Sequence, residues 1–287
     1  MATQLPLWLW AQTACIWEAT ARKAGNVHPG RDFDDLRYVD FLLSAAAIAP
    51  IFDHVHGRRV GELIFAGVEA TQHVCLSNVN LGILLLLVPL AIVPAGDDLR
   101  DGLERILSEL DVTDAVAVYR AIRLARPGGL GEVAEQDIRA EPTLPLREAM
   151  RLAADRDLIA LQYVNGFREV LDEGVPALAG GLRTHGNLET AIVGAHLDLL
   201  ARHADSLIAR KRGVAAAEEA SRRAADVLKA GWPGGAGLHA FADFDAWLRA
   251  DGHARNPGTT ADLIAASLFA ALREGIITLP LSIPWSP

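Results

Sequence analysis

Ser77-Asn-Val-Asn-Leu-Gly-Ile-Leu-Leu-Leu-Leu-Val-Pro-Leu-Ala-Ile-Val-Pro-Ala95 is the stretch on which the fold turns. Its apolar part, Leu81 to Ala95, reads as a buried helix, opened by Ser77 or Asn78. Pro89 interrupts the run, and its length falls short of the roughly 20 residues needed to span a bilayer. The run is therefore expected inside a protein core rather than a membrane.

Composition extends this reading outward. Of 287 residues, 51% are hydrophobic and 22% charged, enough for a sizeable core. Ala and Leu dominate and aromatics are few, which favours helices because Ala and Leu lose little side-chain entropy there. Apolar residues recur at helical spacing almost throughout, with almost no sustained two-residue alternation. Helices are expected near 5–22, 36–52 (capped by Asp34 or Asp35), 61–76, 99–110, 113–126, 146–173, 187–201, 215–229 and 259–274. Gly231 to Gly237 reads as a linker and Leu279 to Pro287 as a Pro-broken tail. No fixed-period repeat or long polar linker divides the chain, so one compact all-α, multi-helix domain over 1–287 is expected, with functional loops between its helices.

The formal net charge of −9 argues against general nucleic-acid binding, since an acidic body repels a polyphosphate backbone. A local basic pocket for a small anion remains compatible with it. Cys15 and Cys75 stand far apart, outside any metal or redox pattern, and read as buried free thiols. The apolar start, Met1 to Trp17, has no Lys or Arg before Arg22 and so lacks the basic opening of a secretory signal. A cytoplasmic enzyme is expected. Apolar helix faces make a homodimer plausible.

Six segments carry candidate chemistry. Lys23-Ala-Gly-Asn-Val-His-Pro-Gly-Arg-Asp-Phe-Asp-Asp35 sets donors for phosphate (Lys23, His28, Arg31) beside carboxylates for a hard cation (Asp32, Asp34, Asp35). Gly25 and Gly30 permit close backbone approach. Glu69 and His73 lie four apart on one helical face, ahead of Asn78 and Asn80 at the start of the apolar helix. Arg126-Pro-Gly-Gly-Leu-Gly131 is a weak Gly-rich signal. Asp155-Arg-Asp157 interrupts an apolar stretch, where charges without partners would be costly to bury. Arg210, Lys211 and Arg212 form the densest basic patch, which also suits a helix end before Gly213. Asn256-Pro-Gly-Thr-Thr-Ala-Asp262 offers hydroxyls and amides at a helix start. No serine elbow, His-Glu-x-x-His, Walker loop or Rossmann fingerprint is present.

The order of these segments resembles the triphosphoribosyl-dephospho-CoA synthase family over nearly the whole chain. Lys23-Ala-Gly-Asn-Val-His with Asp32-Phe33 resembles the family's Lys-Pro-Gly loop, with Glu18 at the position of its preceding Glu. Ser77-Asn-Val-Asn-Leu-Gly82 resembles its Asn-rich helix start. Arg126 to Gly131, Asp155 to Ala160, Asp205 to Lys211 and Asn256 to Leu263 follow in the family's order. Ala24 replaces the usual Pro and Val79 a Thr, which bears on the substrate more than on the fold, and the Asn26-Val-His28 version of the first loop resembles a divergent branch of the family.

The resemblance implies transfer of the triphosphoribosyl part of ATP to 3′-dephospho-CoA with release of adenine, for prosthetic-group or coenzyme synthesis. ATP is then a substrate and Mg²⁺ its expected companion. Nucleotide-binding candidates are Lys23, Gly25, Asn26, His28, Arg31, Asn78, Asn80, Arg210, Lys211, Asn256, Gly258 and Thr259. Metal candidates are Asp32, Asp35, Asp157 and Asp262. Glu69 is the first candidate for the catalytic carboxylate and Asp155 the second, which could also hold metal. A related transferase with another acceptor, in one-carbon (pterin) coenzyme synthesis, is the first alternative. A non-catalytic nucleotide-binding helical protein is the other. The shared expectation is that these distant loops converge on one cationic, carboxylate-lined site for a triphosphate.

Overall fold

A computed structural model describes residues 5–128 and 135–286. Gly129, Leu130 and Gly131 of the Gly-rich segment, and the terminal Pro287, lie outside the described residues. The fold is all-α: α1 (Leu7–Thr20), α2 (Tyr38–Ile48) continued by a 3₁₀ segment (Ala49–His54), α3 (Val60–Gln72), α4 (Leu81–Ile92), α5 (Leu99–Glu109), α6 (Val112–Ala125), α7 (Leu146–Arg151), α8 (Leu158–Asn165), a π-helical segment (Glu169–Gly174), α9 (Val175–His185), α10 (Leu188–Arg202), α11 (Ser206–Arg212), α12 (Val214–Lys229), α13 (Gly235–Arg249) and α14 (Gly258–Arg273). Only two isolated bridges, His28–Arg31 and Phe33–Leu36, interrupt helix and turn among the described residues.

The contacts divide the chain into two compact units. Unit 1 holds residues up to Ile16 and Val39–Phe167; unit 2 holds Trp17–Tyr38 and Arg168–Pro287. In unit 1, α4 is the core helix: every residue from Leu81 to Ile92 except Gly82 is buried, as an all-round apolar helix must be. It packs against α3, α5, α6 and α8. Pro89 brings no amide hydrogen, so the Leu85 carbonyl four residues back lacks its usual helical donor. The fully buried Tyr163 of α8 donates its hydroxyl to that carbonyl at 2.7 Å. Burial raises the Tyr163 pKa, keeping the hydroxyl protonated as a donor. Tyr163→Phe is expected to destabilise by about 1–3 kcal/mol, because a buried acceptor loses its partner. In a Pro89→Ala background, where a helical donor returns, urea denaturation should show a smaller penalty.

In the same unit α3 and α6 lie close. A methyl group at Gly61 would sit 2.6 Å from the Asp114 carbonyl oxygen, which is backbone and cannot turn aside. The Asp114 carboxylate accepts the Gly61 amide at 3.0 Å and reciprocates with Asp111 in a capping box that starts α6. Gly61→Ala should cost roughly 1–3 kcal/mol of stability by overpacking, measurable in the same denaturation series.

In unit 2, α14 is buried from Thr259 to Leu272 apart from Asp262, and packs on the π-helical segment, α9, α10 and α11. Several sequence expectations need correcting. The helix expected over 146–173 is broken into α7, α8 and the start of the π segment. Asp157 caps α8 through the amides of Ile159 and Ala160, at 2.9 and 3.1 Å, and Gly166 ends it in left-handed conformation. The Asp34 or Asp35 cap of α2 is replaced by Asp32, which accepts the Tyr38 amide at 2.7 Å. Gly231 to Gly237 is not wholly linker, since α13 starts at Gly235. Helix α9 was not expected; Pro176 in its first turn and Gly186 at its end are ordinary boundaries for it.

Candidate functional site

Unit 2 gathers three chain-distant segments: the loop from Lys23 to Arg37 that follows α1, the short helix α11, and the 251–260 stretch that leads into α14. Asp205 ties the last two together. Its Oδ1 accepts the amides of Leu207 (2.9 Å) and Ile208 (3.0 Å), capping α11. Its Oδ2 accepts the amide and hydroxyl of Thr260, both at 2.8 Å, in the first turn of α14. Asp205 is fully buried, and burial raises its carboxyl pKa against the lowering effect of these bonds and of Arg210. Beside it Ser206 donates to the buried Thr259 hydroxyl at 3.1 Å. A side chain at Gly258 would meet the end of the Leu207 side chain at 2.7 Å, so the two helix starts lie close together.

The Lys23–Arg37 loop is fixed to the same region. Asn26 donates to the Asn256 side-chain oxygen at 2.6 Å, and Arg249 donates to the Asn26 carbonyl. Gly25 has φ of +74°, and its amide donates to Asp245 at 2.8 Å. A side chain there would be 2.7 Å from Leu248 and 3.0 Å from Pro257, so both backbone sign and space require glycine. Arg31, largely exposed, pairs with Asp245 at 3.2 Å. His28 is buried with its Nδ1 3.2 Å from the Pro29 carbonyl; burial, with the charges of Arg249 and Lys23, lowers its pKa against the effect of that carbonyl and Asp245.

Lys23 lies beneath this loop rather than on it. Its side chain is 0% exposed, its Nζ is 2.9 Å from Glu18 Oε1, and it also donates to the Glu18 and Ala21 carbonyls. In this geometry the ammonium presents no exposed face to a phosphate. Nearby on α10, His196 is fully buried with neither ring nitrogen in hydrogen-bond geometry. Burial first, then the charge of Lys23, push its pKa down to about 3, against a smaller opposing effect of the Pro257 carbonyl. Because the folded value lies below the ordinary 6.5, the folded state binds fewer protons. The stability His196 contributes is complete above pH 6.5 and is lost as pH falls toward 3, at up to about 1.4 kcal/mol per pH unit. His196→Leu should flatten stability against pH in that window; an unchanged slope would show that His196 does not titrate there.

The outward-facing chemistry gathers around Lys211. Lys211 Nζ is 3.2 Å from His253 Nδ1, and His253 Nε2 is 3.2 Å from Asp35 Oδ2. Burial lowers the Lys211 pKa, while Asp35 opposes the shift. Arg210 is half-buried, and Arg212 pairs with Asp251 at 2.7 Å. Asp32 and Asp35 are exposed and Asp262 half-buried. Lys23, Gly25, Asn26, His28, Arg31, Asp32, Asp35, Arg210, Lys211, Asn256, Gly258, Thr259 and Asp262 thus all belong to unit 2.

The remaining candidates belong to unit 1. Glu69 is exposed, and its backbone carbonyl is 2.8 Å from the His73 ring nitrogen. Asn78 accepts the Leu81 amide at 3.2 Å. Asn80 is buried and accepts the Thr71 hydroxyl at 3.0 Å, while its own side-chain nitrogen has no partner. Asp155 is 82% exposed and pairs with Arg156 at 3.2 Å; Asp157 caps α8.

Among the described residues, the one group of three potential ligand side chains with donor atoms within 4.8 Å is Glu169, Glu173 and His203. The sequence reading left His203 unassigned. Here His203 bonds Glu173 at 2.8 Å, and Arg202, itself paired with Asp198 at 2.9 Å, lies 3.9 Å from the same Glu173 carboxylate. Asp32, Asp35, Asp157 and Asp262 form no such cluster. Mg²⁺ bound with a triphosphate keeps several waters and takes only one or two carboxylates, so exposed oxygen donors such as Asp32 and Asp35 fit it without a preformed cage.

The family description for ATP:dephospho-CoA triphosphoribosyl transferase matches residues 7–278. The chain belongs to this family. A crystal structure from Archaeoglobus fulgidus, provisionally named a triphosphoribosyl-dephospho-CoA synthase, is similar at 30% identity and a TM-score of 0.65. The match covers 82% of this chain and 99% of that one. No curated relative matches the chain. The loop after α1, α11 and the start of α14 all lie within the matched residues and all belong to unit 2. No helix among the described residues is long and apolar enough to cross a membrane.

Proposed function

We propose that this chain transfers the triphosphoribosyl group of ATP to 3′-dephospho-CoA and releases adenine. The family match across 7–278 is the observation that carries the reading. In the reaction the C1′–N9 bond of ATP breaks with its electron pair going to adenine, a ribose hydroxyl of the acceptor forms the new C1′–O bond and gives its proton to a base, and adenine takes up one proton and leaves neutral.

Lys211 and Arg210, with Arg31, are proposed to neutralise the triphosphate through charge-assisted hydrogen bonds. Asp35 and Asp32, with Asp262, are proposed to hold the Mg²⁺ that accompanies ATP, a cation that offsets phosphate charge. Asn256, Gly258 and Thr259 shape the helix start beside these groups. Lys23 acts from below: paired with Glu18, it supports the loop that carries Asn26, His28 and Arg31. For the base, Glu69 is proposed first and Asp155 second; Glu69→Gln and Asp155→Asn should differ sharply in kcat, and the larger loss names the group.

The test is incubation of purified protein with ATP, Mg²⁺ and dephospho-CoA, followed by chromatography for free adenine and mass analysis of the product. Adenine in step with an acceptor enlarged by a triphosphoribosyl group is expected. Adenine release that ignores dephospho-CoA would point to another acceptor, such as a pterin precursor, or to hydrolysis. Nucleotide binding without adenine under any condition would overturn the catalytic reading.

A further inference from the structure

His253 stands between the two charges that the proposed substrate would separate. Its Nδ1 faces the Lys211 ammonium and its Nε2 faces the Asp35 carboxylate, each at 3.2 Å. The three residues come from the last turn of α11, the 251–257 connection and the loop after α1. The ring is also set against Phe33, with centroids 5.8 Å apart, and Arg249 lies over the other ring system's face at 5.2 Å from the Phe33 centroid. An ammonium only donates, so Nδ1 must accept and Nε2 must carry the hydrogen that Asp35 receives.

Lys211 and Asp35 are partly exposed opposite charges on neighbouring segments. Their charges attract across the ring, Asp35 opposing the burial that lowers the Lys211 pKa, and the ring is what stands between them. A nucleotide triphosphate with a divalent cation needs both: a lysine for phosphate oxygen and a carboxylate for the metal.

We propose that His253 is a positioning residue that holds Lys211 and Asp35 apart, so that one is kept for the triphosphate and the other for its Mg²⁺. This rests on the reading of the site as a triphosphate site. The role needs a ring or amide that accepts from Lys211 and donates to Asp35 at once. It needs no change of protonation.

Isothermal titration of the full chain with MgATP tests it, alongside dephospho-CoA as a separate titrant. His253→Ala should weaken MgATP binding about tenfold and raise the Mg²⁺ concentration needed for half-saturation, with dephospho-CoA affinity unchanged. His253→Gln, whose amide can accept and donate, should recover most of the loss. In a Lys211→Ala background, His253→Ala should add little, since the spacer then has nothing to hold apart. The last comparison remains informative if His253→Ala folds poorly, because His253→Leu, which fills the space but can neither accept from Lys211 nor donate to Asp35, gives the same cycle. Unchanged MgATP affinity in His253→Ala, or an equal and independent loss in the Lys211→Ala background, would overturn the proposal. A wild-type chain that binds MgATP yet releases no adenine would end the transferase reading while leaving this cycle decisive. A wild-type chain that binds no MgATP would end both.

Discussion

Lys211→Ala is expected to lower kcat/KM for ATP by about 100-fold or more, with the melting temperature nearly unchanged. Lys211 sits on the last turn of α11, half-buried, with His253 and Asp35 beside it. A cation in that setting is screened less than one in open water, so its bond to a phosphate oxygen is correspondingly strong. Little of the fold depends on it, because α11 is started by Asp205 and ended by Gly213 without its help. Lys211→Arg should recover only part of the activity, since a planar guanidinium is longer and cannot reproduce the ammonium's place against His253. Steady-state adenine release with ATP varied checks the prediction. A variant that kept wild-type kcat/KM would remove Lys211 from the site.

The second large effect is on stability. Glu18→Ala is expected to destabilise the protein by about 3–5 kcal/mol, because it strands the fully buried Lys23 ammonium. The carbonyls of Glu18 and Ala21 would still accept from Lys23, but they carry no full charge to replace the carboxylate. Exchanging both partners for apolar residues of similar volume, as Glu18→Leu with Lys23→Met, should restore most of the loss, because neither charge then needs to be buried. The double variant also separates two roles for Lys23. If it supports the loop from below, the stable double variant keeps much of its MgATP affinity. If it touches phosphate in the complex, affinity falls although the fold is restored. Chemical denaturation and MgATP titration of the same samples give both answers.

The all-α class was legible because the signal is periodic and long: the Leu81 to Ile92 run and the amphipathic stretches around it leave no other economical burial. What local pattern could not show was where long helices break. Asp155-Arg-Asp157 looks like charge inside one helix, but the Asp157 side chain bonds two amides and starts a new one. The Pro89 defect shows the same limit. Proline announces a missing donor, yet only the packed structure reveals that Tyr163, 74 positions later, supplies it.

Part of the candidate site could be read as a set of segments: the Lys23 loop, the basic end of α11 and the Asn256 stretch belong to unit 2, whereas Glu69, Asn78, Asn80, Asp155 and Asp157 belong to unit 1. Individual roles were harder. Lys23 looks like a phosphate donor in a Gly-rich loop, and the Glu18 five residues earlier was the available hint that it is paired and buried. His253 carried no motif at all. It lies in a connection between helices, and its meaning comes from two neighbours, 42 and 218 positions away, that no local spacing could join. Asp205 was visible only as the start of the Asp205 to Lys211 segment; its bonds to Thr260 cross 55 positions.

The central claim is that the triphosphate of ATP is held in unit 2 by the end of α11 and the loop after α1. A crystal structure of the chain with Mg²⁺ and a non-reactive ATP analogue measures this directly. The account predicts phosphate oxygens within hydrogen-bond distance of Lys211 Nζ and the metal bound by Asp35 or Asp32. A triphosphate seated away from both Lys211 and the Lys23–Arg37 loop would contradict it.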